Sequence, residues 1–591
     1  MKIFCNVIKQ HWLIIVMAFI IGFLVVRPNI SAITEVGLDN FRGIYPILTD
    51  DEEYYFARTH EVLDGNQGLG NVFIKEHKNE PFMAPPLAEI FFSSAARLSN
   101  FSIPKIFAIS DFIFPFLGVI ALYVLLFGVT NSKKISLGLS SFYYLLFIRE
   151  AGRAINQQFI FLFLFIGIWL VWKIYAAEDN RKALFYSFWL SVIFGILLYI
   201  YPYFWTSIVA TYGVCMLFKA INYKKFKEVA KNIAVFAFFS AIFSSYYFYN
   251  LFQSIKNTAY METVRRMGLL DTHFPGAFYN TFPLLCALIF LIVIRKNIKD
   301  KLKLNFSYLL LVTGLLLNWQ NVITGKYMFF SVHYLQPSYL FVVVVIGIIL
   351  SEVDFGFIKE KKVILKTLLI LLSASFILAM LAYKCFDGIK LALFLNVPKS
   401  QMLELQSRKD VFDWLNKNTE KDSVVYFLGN DDFRSTIPVY THNNLYSGGC
   451  ATSFLVSDEE LIGRWMRQNL LNDELNESYL KNTSKTYALL ANRFIDKYQN
   501  QQVRRKIIKF FNGNPGPEPE LVPAWYTEML LREYQEVKKE SPEQALKKYQ
   551  IDYIILNTVG SDYQKYQEKL KKLTFVELIK QFDNVLIYQV N

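Results

Sequence analysis

Ile106-Phe-Ala-Ile-Ser-Asp-Phe-Ile-Phe-Pro-Phe-Leu-Gly-Val-Ile-Ala-Leu-Tyr-Val-Leu-Leu-Phe-Gly-Val129 decides the class of fold. As a helix rising about 1.5 Å per residue it reaches about 36 Å, enough to cross roughly 30 Å of hydrocarbon. Comparable apolar runs lie near 11–28, 134–149, 158–175, 183–201, 203–219, 232–252, 278–294, 305–323, 332–351 and 363–383. About eleven membrane spans are therefore expected. Pro202, between the fifth and sixth, marks a tight helix–helix turn, because proline cannot continue the backbone ladder. The composition agrees. Of 591 residues, 54% are hydrophobic and only 19% charged, which excludes disorder and argues against a purely water-soluble chain. Five cysteines exclude a disulfide scaffold.

The 62 Lys and Arg exceed the 49 Asp and Glu by 13. This surplus collects on alternate loops: Lys133 and Lys134; Lys173, Arg181 and Lys182; Lys219 through Lys231; Arg295 through Lys303; Lys359, Lys361 and Lys362. Repeated bias of this kind is the positive-inside signature, so the charge reads as topology and not as nucleic-acid binding. It predicts a multi-pass protein of the plasma (inner) membrane with a cytoplasmic N-terminus. An odd number of spans then places the C-terminal part outside. The first apolar segment ends in Arg27-Pro28-Asn29, which is no cleavage site, and is expected to stay as an anchor.

Beyond about residue 400 the character changes. Short β-rich runs, Ser423–Leu428, Tyr553–Leu556 and Val585–Tyr588, alternate with helical stretches at 404–418, 458–471 and 484–510. The expected architecture is mainly α and multi-spanning over 1–400, with a C-terminal extracytoplasmic α/β domain over 401–591. Only Cys385 and Cys450 could face an oxidising compartment and form a bridge.

The longest connection, 27–105, is an outer loop containing Thr49-Asp-Asp-Glu-Glu-Tyr-Tyr-Phe-Ala-Arg58. Acids opening a helix are commonly caps, and Thr49 with Glu52 fits a capping box. Against that, long connections in compact proteins are usually functional or disordered, and the aromatic content of this one argues for order. An acidic helix start above the membrane is a place for a general base, and Asp51, Glu52 and Asp50 are the candidates. The same three acids are hard oxygen ligands, compatible with a divalent cation such as Mg or Mn.

Asp51-Glu52-Glu53-Tyr54-Tyr55-Phe56-Ala57-Arg58, then Gly65, then Pro85-Pro86-Leu87 resemble the first-loop pattern of the GT-C superfamily of glycosyltransferases. The branch is that of the protein O-mannosyltransferases and the lipid A aminoarabinose transferase. Trp414-Leu-Asn-Lys-Asn-Thr419 and Gln550-Ile-Asp-Tyr-Ile-Ile555 resemble the domains appended to such enzymes. Two departures stand out. Ala84 occupies the place where the branch often has Lys, and the loop after the third span carries Arg149-Glu-Ala-Gly-Arg153 and Asn156-Gln-Gln158 where a second acid is common, leaving Glu150 or Asn156 to substitute.

The resemblance implies an inverting transfer from a polyprenyl-phosphate-linked sugar to an extracytoplasmic acceptor (protein, lipid or polysaccharide). Such a reaction needs a base for the acceptor hydroxyl and fixed positive charge for the leaving phosphate. Arg149, Arg153, Arg265, Arg266, Lys326 and His333 are the candidate contacts on the outer face, joined by Tyr55 and Arg58 of the first-loop helix. The connection 253–277 is long enough for a flap, and Glu262 with Arg266 also fits a local i,i+4 pair. Two other classes compete: a transporter of lipid-linked saccharide, which would show ionisable residues at mid-span, and a cell-envelope scaffold that binds polymer through its outer domain.

Overall fold

The computed structural model describes all residues except 1, 50, 156–157, 277, 329–330, 354–382, 384, 391, 430, 472–474, 484–492 and 560–561. Its membrane part is built from α1 (Lys2–Val36), α4 (Ile103–Thr130), α5 (Lys133–Leu146), α6 (Ile148–Ala151), α7 (Ile160–Ala176), α8 (Asn180–Leu198), α9 (Pro202–Tyr223), α10 (Phe226–Lys256), α12 (Phe278–Ile294), α13 (Lys301–Thr324) and α14 (Leu335–Glu352). Among the described residues eight of these are long and apolar enough to cross a membrane, and α7 is a shorter apolar helix. The protein is a multi-pass membrane protein. The span expected at 134–149 divides into α5 and the one-turn α6, and that at 363–383 falls almost wholly outside the described residues.

Pro202 is the first residue of α9, where its missing N–H costs nothing. Hydroxyls inside the spans bond back to carbonyls one turn earlier, as Ser207 Oγ to Tyr203 O at 2.6 Å and Thr313 Oγ1 to Leu309 O at 2.7 Å. That satisfies polar groups which have no water to turn to.

The first long loop folds into α2 (Glu52–Leu63) and α3 (Leu87–Ser99). It is wedged between the helical bundle and the C-terminal domain. Leu445 N–H donates to Phe73 O over 2.8 Å, Asn444 Nδ2 to Val72 O over 3.1 Å, and Lys78 bridges Glu61 and Asp422. The connection between α10 and α12 contains α11 (Tyr260–Arg266) and β1 (Leu269–Asp271), the latter paired with β2 (Lys326–Met328).

The C-terminal domain holds a five-stranded sheet of β3 (Val424–Leu428), β4 (Asn444–Leu445), β5 (Tyr553–Asn557), β6 (Val576–Phe582) and β7 (Val585–Val590), in the order β4-β3-β5-β7-β6. β3 runs parallel to β4 and β5, whereas β7 is antiparallel to β5 and β6. Every residue of β3 is buried, as expected for a parallel strand covered on both faces. β4, β6 and the helix Ala524–Lys539 were not anticipated. One continuous apolar core joins Leu122 of α4, Ala57 of α2, Val411 and Ile555, so packing runs across the sequence boundary at 400. Cys385 and Cys450 are both free thiols, not the bridge their compartment would allow.

Candidate functional site

The start of α2 shapes the site. Asp51 is the N-cap residue, yet its carboxylate makes no capping hydrogen bond. It is drawn instead to Arg153, just past α6, with which it forms an ion pair. Burial works against the Arg153 charge, but the carboxylate outweighs it and holds the guanidinium pKa above its ordinary value. Tyr55, one turn into α2, and Tyr201, at the α8–α9 turn, lie within electrostatic reach of the same pair. His333 is also within reach of Arg153 and packs against Tyr201 and Tyr203, with ring centroids 5.6 and 5.1 Å away.

Glu52 turns the opposite way. It is 5% exposed, accepts the Leu48 N–H over 2.6 Å, and is pushed up to about 7 by burial. Glu52 thus reaches back to the chain before the helix and meets the backbone of Thr49 as well as Leu48, but Asp51, not Thr49, is the N-cap, so the expected capping box is incomplete. Glu52 lines a water-sized cavity together with Asn29, Asp111 and Gln158. Asp111, on α4, accepts from Asn29 Nδ2 at 2.8 Å and from Gln158 Nε2 at 2.6 Å. This buried network was not foreseen. An ionisable residue within an apolar span was the available signal.

A second cavity, of about 110 Å³, begins on the other side of Asp111. Leu24, Val25, Ile148 and Leu395 make its walls apolar, and its polar groups are Thr49, Asp111 and Arg149. Gly152 lines both cavities: a Cβ there would come within 3.1 Å of Val25, so the missing side chain lets the turn after α6 lie close to α1. Arg149 is exposed and makes no ion pair among the described residues.

The remaining expected contacts are placed elsewhere. Arg58 is fully buried and donates to Glu89 of α3 at 2.5 Å and to Ala84 O at 2.9 Å, so it ties α2 to the Pro-Pro segment and is not presented to a ligand. Arg266 is equally buried. It pairs with Asp458 and donates to Thr452 O, Phe454 O and Val456 O, while Glu262 accepts the Asp458 N–H over 2.7 Å. The local Glu262–Arg266 pair gives way to a clamp that ties α11, within the connection 253–277, to the C-terminal domain. Arg265, at the end of α11, and Lys326 of β2 share Asp271 of β1 at 3.8 and 2.5 Å. Asp50 and Asn156 lie outside the described residues.

Asp51 and Glu52 thus point apart, and the described residues contain no group of three His, Cys, Asp or Glu side chains that could hold a metal ion. As placed, these two acids do not fit a shared Mg or Mn ion.

Fold and site together define a multi-pass membrane protein with a carboxylate–arginine pair at the edge of the bundle, beside an apolar cavity that carries a second arginine. No protein-family profile matches the chain, and no curated protein matches its sequence. Among solved structures it is similar to ArnT from Cupriavidus metallidurans in the apo state, at 9% identity and a TM-score of 0.46, over 96% of this chain and 97% of that one. It is also similar to ArnT from Cupriavidus metallidurans bound to undecaprenyl phosphate, at 8% identity and a TM-score of 0.46, over 98% of each chain.

Proposed function

We propose that the protein is a glycosyltransferase that moves a sugar from a polyprenyl-phosphate-linked donor to an extracytoplasmic acceptor, with inversion and with Asp51 as base. The observation carrying this reading is the Asp51–Arg153 pair, close in the chain to Thr49 and Gly152, which line the apolar cavity together with Arg149. In this scheme the proximal part of the prenyl chain lies along Leu24, Val25, Ile148 and Leu395. The phosphate meets Arg149, whose guanidinium is uncommitted among the described residues, and then Arg153.

Arrival of the phosphate draws Arg153 from Asp51 and frees the carboxylate. The acceptor oxygen attacks the anomeric carbon on the face opposite the phosphate while Asp51 takes its proton. The bond from that carbon to the phosphate oxygen breaks, and polyprenyl phosphate departs as an anion held by the arginines. Its stability as an anion removes the need for the second, protonated carboxyl of ordinary glycoside hydrolysis.

Purified protein in lipid nanodiscs, given a panel of radiolabelled undecaprenyl-phosphate sugars and an envelope extract as acceptor, should move label from one donor to the extract. Asp51→Asn should lower that rate by about 10²-fold or more with an unaltered melting curve. Undiminished transfer by the Asn variant would remove the proposed base.

A further inference from the structure

A row of cavities leads away from the candidate active site. Leu48 and Leu395, which line the apolar cavity, also line a groove of about 390 Å³ that passes Glu53 and the segment 396–398 and ends at Glu404 and Arg408. Those two residues in turn line a third cavity of about 410 Å³ in the C-terminal domain. Both larger volumes fall in the roughly 300–1,000 Å³ range of ligand sites.

The third cavity lies where the sheet presents its chain ends. β3 and β5 finish there, and the turn between β6 and β7 joins them, so Asn557 of β5, Gln581 and Phe582 of β6 and Asn584 of the turn converge. Ligands of open α/β sheets bind outside such carboxyl ends. Gly429 makes the approach possible: its φ is +130°, and a Cβ there would come within 2.7 Å of the Asn557 side chain.

Arg408 forms the wall common to the groove and this cavity. It is only 6% exposed. Nη2 donates to Glu404 at 2.9 Å and the guanidinium stacks 4.9 Å from the centroid of Phe433, but Nη1 is buried without a hydrogen-bond partner among the described residues. A buried charged donor without an acceptor carries its desolvation penalty uncompensated, so it marks a place where a ligand oxygen belongs.

The donor set indicates the ligand. Amides and carboxylates supply hydrogen-bond donors and acceptors side by side, which suits vicinal hydroxyls, and Phe582 offers a ring. The charges are largely cancelled: Arg42 holds Asp410 at 2.5 Å and Arg408 holds Glu404. Asp583, also in the lining, adds one further carboxylate, so no positive field selects a polyanion. We infer that the cavity at the ends of β3 and β5 binds a saccharide chain, one of whose oxygens accepts from Arg408 Nη1, and that the groove past Glu53 carries this chain toward Asp51. The acceptor is then a glycan, a conclusion that rests on the transferase reading, whereas the binding itself does not.

Binding is read without donor, by saturation-transfer difference NMR on the full-length protein in amphipol, which has no sugar headgroup. The probes are maltoheptaose, cellohexaose, chitohexaose, hexagalacturonate and a Thr-rich peptide. At least one glycan should receive saturation, and its affinity should fall by about tenfold in Arg408→Met and in the double variant Gln581→Ala/Asn584→Ala. Both amides are exposed, so the double variant decides the matter if Arg408→Met fails to fold. Asp51→Asn should bind the glycan as the parent does, so a failure of the transfer reading leaves this result intact. Silence from all four glycans, a signal indifferent to both sets of substitutions, or saturation of the peptide alone would overturn the site.

Discussion

Arg153 and Asp51, 102 residues apart in the chain, form an ion pair at the rim of the helical bundle. Both side chains keep partial access to solvent, 27% and 38%, so the pair contributes little to folding, about 1 kcal/mol or less. In the proposed reaction its value lies in holding a base and a phosphate ligand together until substrate separates them. The two members should then be separable kinetically. Arg153→Gln is expected to raise the donor KM by about tenfold, through loss of a charge-assisted contact, with a near-parental melting temperature. Asp51→Asn should act on kcat instead. Initial rates over a donor series in nanodiscs give both parameters, and a purely kcat effect of Arg153→Gln would contradict its assignment.

Arg149 makes the sharper test of the proposed lipid site, because no described acid competes for it. Arg149→Gln should raise the donor KM by about tenfold, and Arg149→Lys should recover part of that loss, since an ammonium keeps the charge but not the fork of donors. Neither change should move the melting temperature. Equal donor KM in all three proteins would show that the phosphate sits elsewhere.

Glu52 supplies a prediction about pH. Burial holds its carboxyl near 7, so between about pH 4.5 and 7 the folded chain keeps a proton that the unfolded chain has released. Folding stability must fall as pH rises through that window and stay lower above it, by up to roughly 3 kcal/mol. Glu52→Gln mimics the protonated form and can still accept the Leu48 N–H. It is expected to raise the melting temperature at pH 8 by several degrees, and by much less at pH 5. Melting curves at the two values decide this, and a pH-independent difference would show that Glu52 is not held protonated.

The spans could be read from the sequence because each is a local property, an apolar run of sufficient length, as at Ile103–Thr130. The C-terminal sheet was visible in β3, β5 and β7, whose runs are almost wholly apolar. β6, whose exposed residues fall in the adjacent pairs Glu577-Leu578 and Lys580-Gln581 around a register shift and break the period-2 pattern, was not. Within the site, Asp51 was recognisable as a candidate from the acidic helix start and the first-loop pattern, and Arg153 from basic charge placed against the topological bias. Their pairing was not, nor was the diversion of Arg58 to Glu89 and of Arg266 to Asp458, because each depends on which distant acid the fold delivers. Asp111 escaped notice for the opposite reason. A single acid hardly dents the hydropathy of a 28-residue helix, and only its meeting with Asn29 and Gln158 gives it meaning.

The Arg58–Glu89 bridge should behave as a buried structural pair and not as a ligand contact. Its side chains are 0% and 2% exposed, so removing one partner strands the other charge in the interior. Arg58→Met or Glu89→Leu alone should each destabilise by about 3–5 kcal/mol, and the double variant by less than either, because taking both charges away also removes their desolvation cost. Arg58 also donates to Ala84 O, which the double variant leaves unpaired, so some loss will remain. The measurement is the thermal midpoint of the four proteins of this cycle in one detergent, followed by the donor KM of those that fold. Recovery of the midpoint in the double variant with an unchanged donor KM fits a strut between α2 and α3. A double variant that is stable but has lost donor affinity would return Arg58 to the binding site.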